Sequence, residues 1–184
     1  MSATSAPFGL RAVYSPSGVV RPQAMTILST YGANILQNQP VKIGTNGTIE
    51  AAAIGERFIG TFSGVEFTDT DGRRRVSNKW TSGLVATDII AYVTLDPTLV
   101  YEIQTNAAID VLDIGEQFDF TTITAGNATV GLSQLMLDVA SSAANASLRL
   151  IGITPGPDNN WGDTYVIAQV QISEHQNVAD RAAY

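Results

Sequence analysis

The sequence predicts an all-β protein: a compact β-barrel or β-sandwich of short antiparallel strands with an extended N-terminal arm. Three observations carry that expectation. Apolar and polar residues alternate with period two along many short stretches. Turn residues (Gly, Asn, Asp, Pro) recur about every 8–15 positions, the spacing of sandwiches and barrels. Only 15% of the 184 residues are charged, while Thr, Ala, Gly and Asn are plentiful, which excludes a disordered, collagenous or coiled-coil chain. A chain of this length buries roughly two-thirds of its extended surface and needs no staple to fold.

In chain order, residues 1–23 come first. They hold Pro7, Pro16 and Pro22, glycine breaks, and scattered apolar side chains: Phe8, Leu10, Val13, Tyr14, Val19 and Val20. Such a stretch makes no core of its own and is too apolar for a free tail. It is expected as an arm that ties down against a neighbouring subunit or partner, or as a strand or coil wrapping its own domain. Residues 24–175 are expected as a single β domain. Within it, Val41-Lys42-Ile43 and Ile49-Glu50-Ala51 flank Asn46-Gly47, which accepts the positive φ of a type I′ hairpin turn.

Arg57 to Thr68 alternates, with Ile59, Thr61, Ser63, Val65 and Phe67 on one face and Phe58, Gly60, Phe62 and Gly64 on the other. Asp69-Thr70-Asp71-Gly72 then turns the chain into Arg73 to Trp80. Further strands are expected at Ile89–Thr94, Leu99–Gln104, Gln117–Thr124, Leu132–Val139, Leu148–Thr154 and Thr164–Ser173. In the last of these, Val166, Ala168, Val170 and Ile172 face the core. Met25 to Asn34 and Ser133 to Asn145 are the only helical candidates. Residues 176–184 read as a loose polar tail.

The chain echoes itself. Residues 45–58 align without gaps on residues 105–118, with seven of fourteen positions identical, including Ile49/Ile109, Ile54-Gly55-Glu56/Ile114-Gly115-Glu116 and Phe58/Phe118. Two related hairpin units, 41–62 and 101–122, fit two halves of one barrel or sandwich. Charge divides as well. The net charge is +3 over residues 1–79, −8 over 80–148, where no basic residue occurs, and −2 over 149–184. Oppositely biased surfaces suit head-to-tail contact between copies or docking on a charged partner.

Chemistry is sparse. There is no cysteine and one histidine, His175, which excludes disulfides, thiolate metal sites and cysteine nucleophiles. His175, beside Glu174 at the end of the last strand, is expected as a surface histidine. Asp69-Thr70-Asp71-Gly72 departs from an EF-hand, because its glycine comes two residues early. Asp158 to Asp163 carries oxygen ligands for at most a weak calcium site and is read as an Asx-rich turn with Trp161 folded back over it. Asp110, Asp113, Glu116 and Asp119 read as acidic turn positions. No Gly-x-Ser-x-Gly, phosphate-loop or dinucleotide motif occurs. No catalytic residue, metal or cofactor is expected. Met1 to Pro7 carry no basic leader region, and Leu84 to Leu95 is too short to span a bilayer, so no membrane association is expected.

Arg73-Arg74-Arg75-Val76-Ser77-Asn78-Lys79-Trp80 concentrates four of the ten basic residues. On a strand Arg73, Arg75 and Lys79 share one face and Arg74 takes the other. A pI near 4.5 argues against a general nucleic-acid binder, so the run is expected to dock on an acidic protein surface, with a solvated hairpin tip and a nucleic-acid contact as the other readings.

At Arg73 to Trp80 and at Pro157-Asp158-Asn159-Asn160-Trp161-Gly162-Asp163 the chain resembles small structural proteins from the head-gene region of tailed bacteriophages. Val41 to Phe62, with Ile54-Gly55-Glu56-Arg57-Phe58-Ile59-Gly60, is similar to the hairpin-rich domains of capsid decoration (cement) proteins. The likeness is one of pattern, spans about residues 7–175 and includes no catalytic motif. It implies a virion protein, made in the host cytoplasm, that binds the head exterior at junctions between capsomers, often as trimers, and clamps neighbouring major capsid subunits. Expected contacts are Phe8, Leu10, Val13 and Tyr14 as arm anchors, and Arg73, Arg74, Arg75 and Lys79 with Trp80 as the electrostatic patch. Two other readings stand beside it. One is a receptor- or glycan-binding tail or fibre module using Trp161, Tyr165 and the Asn-rich loop. The other is a small β-fold hydrolase, for which no constellation is visible.

Overall fold

The computed structural model describes residues 4–122 and 126–179. Expectations that fall on Met1–Ala3, on the strand end Ile123–Thr124 and on the last five residues of the polar tail lie outside them. Every named element is a strand or a single 3-10 turn, so the chain is all-β. In order the strands are β1 (Arg11–Tyr14), β2 (Pro22–Met25), β3 (Ile35–Leu36), β4 (Pro40–Ile43), β5 (Ile49–Ala51), β6 (Gly60–Asp69), β7 (Arg74–Ser77) and β8 (Lys79–Trp80). They continue with β9 (Ala86–Thr94), β10 (Val100–Gln104), β11 (Gln117–Phe120), β12 (Gly126–Asn127), β13 (Leu132–Ser133), β14 (Leu137–Asp138), β15 (Leu148–Ile153) and β16 (Ile167–Ile172).

Two six-stranded antiparallel sheets hold twelve of them, two short pairs, β3-β8 and β12-β13, hold the rest, and neither large sheet closes into a barrel. The first runs β1-β10-β16-β15-β11-β14; the second runs β2-β9-β6-β4-β5, with β7 on the far half of β6. Each sheet has its own core. The first buries Leu10, Phe58, Tyr101, Phe118, Phe120, Leu148 and Val170; the second buries Ile35, Val41, Phe62, Val65, Trp80 and Val93. Full burial of side chains this size stabilises by about 1.5–3 kcal/mol each.

The last strand follows the alternation read from sequence: Val166, Ala168, Val170 and Ile172 are all at most 1% exposed. In β6 the alternation breaks. The register shifts between Phe62 and Gly64, so Phe62 joins Val65 and Phe67 in one core despite the odd spacing. A bulge adds one residue and moves the following side chains to the other face. The β4–β5 hairpin forms, with Ile43 opposite Ile49, but not through a type I′ turn. Gly47 alone takes positive φ (72°), and its N–H donates to the Gly44 carbonyl at 3.0 Å. This is the three-residue loop in which glycine supplies the bulge position.

The expected arm is built into its own domain instead. β1 pairs with β10 and β2 with β9, so one short segment gives an edge strand to each sheet. The helical candidates are not helices. Thr30 at φ 70° and Gly32 break the first; the second becomes β13, β14 and a 3-10 turn, Val139–Ser141.

The internal echo folds alike in part. Ile49 and Ile109 are buried, Ile54 and Ile114 exposed, Gly55 and Gly115 both at positive φ, and Phe58 and Phe118 buried. The copies diverge where Asn46-Gly47 becomes Asn106-Ala107. There the Asn106 side chain instead donates to Asp138 and accepts from the Val139 N–H, and no hairpin ladder forms.

Candidate functional site

Residues 4–14 lie along the edge of the first sheet. Ala6 donates its N–H to Gln104 Oε1 at 2.8 Å, and Leu10 donates to the Asn38 carbonyl at 2.8 Å. The Arg11 guanidinium lies 4.6 Å from the centre of the half-buried Phe8 ring and pairs with Glu102, whose carboxylate also accepts from Thr154 at 2.8 Å. Leu10 is 0% exposed and packs into the first core, so it is a core residue and no anchor for a partner. Val13 and Tyr14 are 39% and 46% exposed on a strand that ends its sheet, with Val19 exposed five residues on. These side chains form an apolar strand edge.

The arginine run forms a β6–β7 ribbon, with Phe67 opposite Arg75 and Thr68 opposite Arg74. Its charges are matched at home. Arg75 pairs with Asp69 at 2.6 Å and Asp71 at 3.0 Å; Arg74 pairs with Glu66 at 3.3 Å and donates to the Asp88 carbonyl at 2.6 Å. Arg73, the most exposed, lies 3.7 Å from Asp71. The Tyr92 hydroxyl, then Arg74, holds the Glu66 carboxyl below its ordinary range, and the same hydrogen bond raises Tyr92. Asp69 is lowered first by the Thr70 N–H and then by Arg75.

Lys79 does not share a face with Arg73 and Arg75 as expected. The strand breaks at Asn78, and Lys79 Nζ donates to the carbonyls of Ala128 and Thr129. Trp80 is 0% exposed and stacks edge-on with Phe67, ring centres 5.9 Å apart, which removes it from any contact patch. It pairs with Ile35 in the separate β3-β8 ribbon, and both side chains pack into the second core.

His175 corrects another expectation, being 2% exposed. The segment after β16 crosses to the Phe58 backbone: Phe58 donates to the Glu174 carbonyl and Gln176 to the Phe58 carbonyl. His175 Nδ1 accepts the Asn177 N–H at 3.1 Å. The Gln176 amide then binds both backbone groups of Ile43, accepting at 2.7 Å and donating at 3.2 Å.

Trp161 is half-buried against the first core, and Asn159 organises its loop, binding Thr154 and both backbone groups of Ile167. Among the described residues no three His, Cys, Asp or Glu gather as a metal site, and no helix is long and apolar enough to cross a membrane.

Two features escaped the sequence reading. Asp110 and Asp113 form a reciprocal capping box around the 3-10 turn Val111–Asp113, and Asp-x-x-Asp was the available signal. That turn holds Val111, Leu112 and Ile114 in solvent. The second is a groove of about 550 Å³ beside β7, lined by Pro22, Gly64, Val65, Val76 and Tyr92 among others. Ser63, Ser77 and Asn78 complete its lining. Comparison of the chain with protein-family models, curated proteins and solved structures finds no match.

Proposed function

We propose that this chain is a non-enzymatic virion structural protein that binds the outer surface of a phage head and clamps neighbouring major capsid subunits. The observation that supports it is β1: a terminal strand with Val13 and Tyr14 in solvent and no strand beyond it among the described residues. An open edge of this kind accepts an added strand, with main-chain hydrogen bonds for affinity and alternate side chains for selectivity. The Arg11–Glu102 pair and the Phe8 ring hold the edge in place, so docking orders little new chain. Many identical sites on one shell multiply a modest affinity. The resemblance to decoration proteins supplies the shell as the partner; the ribbon arginines, already paired, are assigned no coat contact in this reading.

Quantitative mass spectrometry of purified particles tests the reading through the ratio of this chain to the coat protein. A ratio near unity is expected; absence from the particle overturns it, and a few copies per particle moves the protein to the tail or a vertex. On heads lacking the protein, the double variant Val13→Asp, Tyr14→Asp is expected to bind at least tenfold more weakly than wild type, with an unchanged thermal midpoint.

A further inference from the structure

We propose that the loop closing the β4–β5 hairpin modifies itself: Asn46 condenses with the backbone nitrogen of Gly47, loses ammonia and becomes aspartate or isoaspartate in the folded protein. Of the chain's asparagines, Asn46 alone is followed by glycine. That neighbour matters because the attacking atom is the next residue's backbone nitrogen, and a Cβ beside it hinders the approach. Gly47 carries none, and a Cβ built there meets nothing within 4 Å, so the surrounding space is open. Thr45, Asn46 and Gly47 are all exposed. The Asn46 side-chain amide has no hydrogen-bond partner among the described residues, which leaves it free to turn on to the backbone. The Gly47 N–H is tied to the Gly44 carbonyl at 3.0 Å, a solvent-exposed turn bond of the kind that opens locally at little cost.

The only co-reactant is water. The Gly47 nitrogen gives up its proton to solvent and bonds to the Asn46 side-chain carbonyl carbon. The bond from that carbon to Nδ2 breaks, and Nδ2 takes a proton and departs as ammonia. Water then opens the cyclic imide. Cleavage at the bond just formed leaves aspartate; cleavage at the original peptide carbonyl leaves isoaspartate, with the main chain running through the former side chain. Nothing is oxidised or reduced, and each event adds one negative charge. The internal echo supplies the contrast. Asn106-Ala107 stands at the equivalent place in the second copy, and there both determinants are reversed. Ala107 carries a Cβ, and the Asn106 side chain is held at both ends: Nδ2 donates to Asp138 at 2.9 Å, and Oδ1 accepts the Val139 N–H at 3.0 Å. Its carbonyl carbon reaches the next nitrogen only by breaking both bonds. Asn145, also exposed, is blocked differently, since the N–H of the buried Ala146 after it donates to Gln117 Oε1 at 3.0 Å. One short pattern used twice is thus reactive in the first copy and restrained in the second.

Timed incubation of the full chain in mildly alkaline buffer, followed by peptide mass mapping, tests the proposal. Cleavage after Lys42 and Arg57 releases residues 43–57, in which Asn46 is the only side-chain amide. Cleavage after Glu102 and Glu116 releases residues 103–116, where fragmentation assigns Asn106. The folded protein is expected to convert at Asn46 about tenfold or more faster than at Asn106. The decisive arm is Ala107→Gly, which gives the second copy the same Thr-Asn-Gly run and keeps the Asn106 bonds to Asp138 and Val139. Its Asn106 is expected to stay about tenfold slower than Asn46 while the chain is folded, and to match it in denaturant. Gly47→Ala is expected to slow conversion at Asn46 by about tenfold or more; circular dichroism checks that it folds, and Asn46→Gln, whose longer side chain disfavours the ring, replaces it if it does not. Conversion of residues 43–57 no faster than that of 103–116 overturns the proposal. So does an Ala107→Gly variant whose Asn106 reacts as fast as Asn46 in the folded chain or stays slow in denaturant, or a folded position-47 variant that converts at the wild-type rate. The shell-binding reading is independent, since it rests on β1 and fails only on particle composition or head binding.

Discussion

At Gly60 the backbone takes φ 152°, and a Cβ there overlaps the carbonyl oxygen of Thr94 on the neighbouring strand. Side chains are excluded from that position because neither the dihedral nor the strand spacing admits one. Gly152 differs: it lies at a register shift in β15, and a Cβ added to it meets nothing within 4 Å. Gly60→Ala is therefore expected to destabilise by about 3 kcal/mol or more, and Gly152→Ala by nearly nothing. Denaturant titration compares the two; equal costs sink the argument. The same scale explains why Trp80 and His175 misled the sequence reading. Each sits where local pattern ends, Trp80 after a basic run and His175 at the start of a polar tail. Their burial comes from distant partners: the Ile35 strand and Phe67 for Trp80, the Phe58 backbone for His175.

Among the elements, those legible in the sequence are those whose partner is near or whose own period is clean. The β4–β5 hairpin has both strands within a dozen residues, and β16 alternates without interruption. The first segment was not legible, because nothing near Arg11 in the chain announces Glu102, 91 positions away, as its neighbour. The paired ribbon arginines are a middle case. The Asp69–Gly72 turn was readable, yet that its aspartates face Arg75 is settled only by the register. For the N-terminal segment the structure makes truncation a test of the fold itself. Removing residues 1–25 takes Leu10 from the first core and an edge strand from each sheet. Loss of a buried leucine alone costs about 2–5 kcal/mol against a total of roughly 5–15. A fall in thermal midpoint of more than ten degrees, or loss of the transition, is expected by circular dichroism. An intact midpoint restores the detachable arm.

For the whole molecule the question is whether two cores make two folding units. The segments that join them run both ways. The N-terminal segment serves both sheets, residues 174–176 return from β16 to Phe58 and Ile43, and Gln37 bridges to Leu132. The first core also takes Ala52 and Phe58 from the stretch of chain between β5 and β6 of the second sheet. A single cooperative unfolding transition is expected, with calorimetric and van't Hoff enthalpies equal. Two resolved transitions contradict it.

The wide separation of β1 and β10 also bears on how the protein is made. β1 is synthesised ahead of its pairing partner, which is added about 90 residues later, on the order of ten seconds at ordinary translation rates. The first sheet thus acquires its outer strand only after most of the chain exists. During that interval the nascent segment is a free strand, and a sheet edge on any completed neighbour is open to it. Synthesis order makes an exchange of N-terminal strands between chains born side by side the characteristic hazard of this fold.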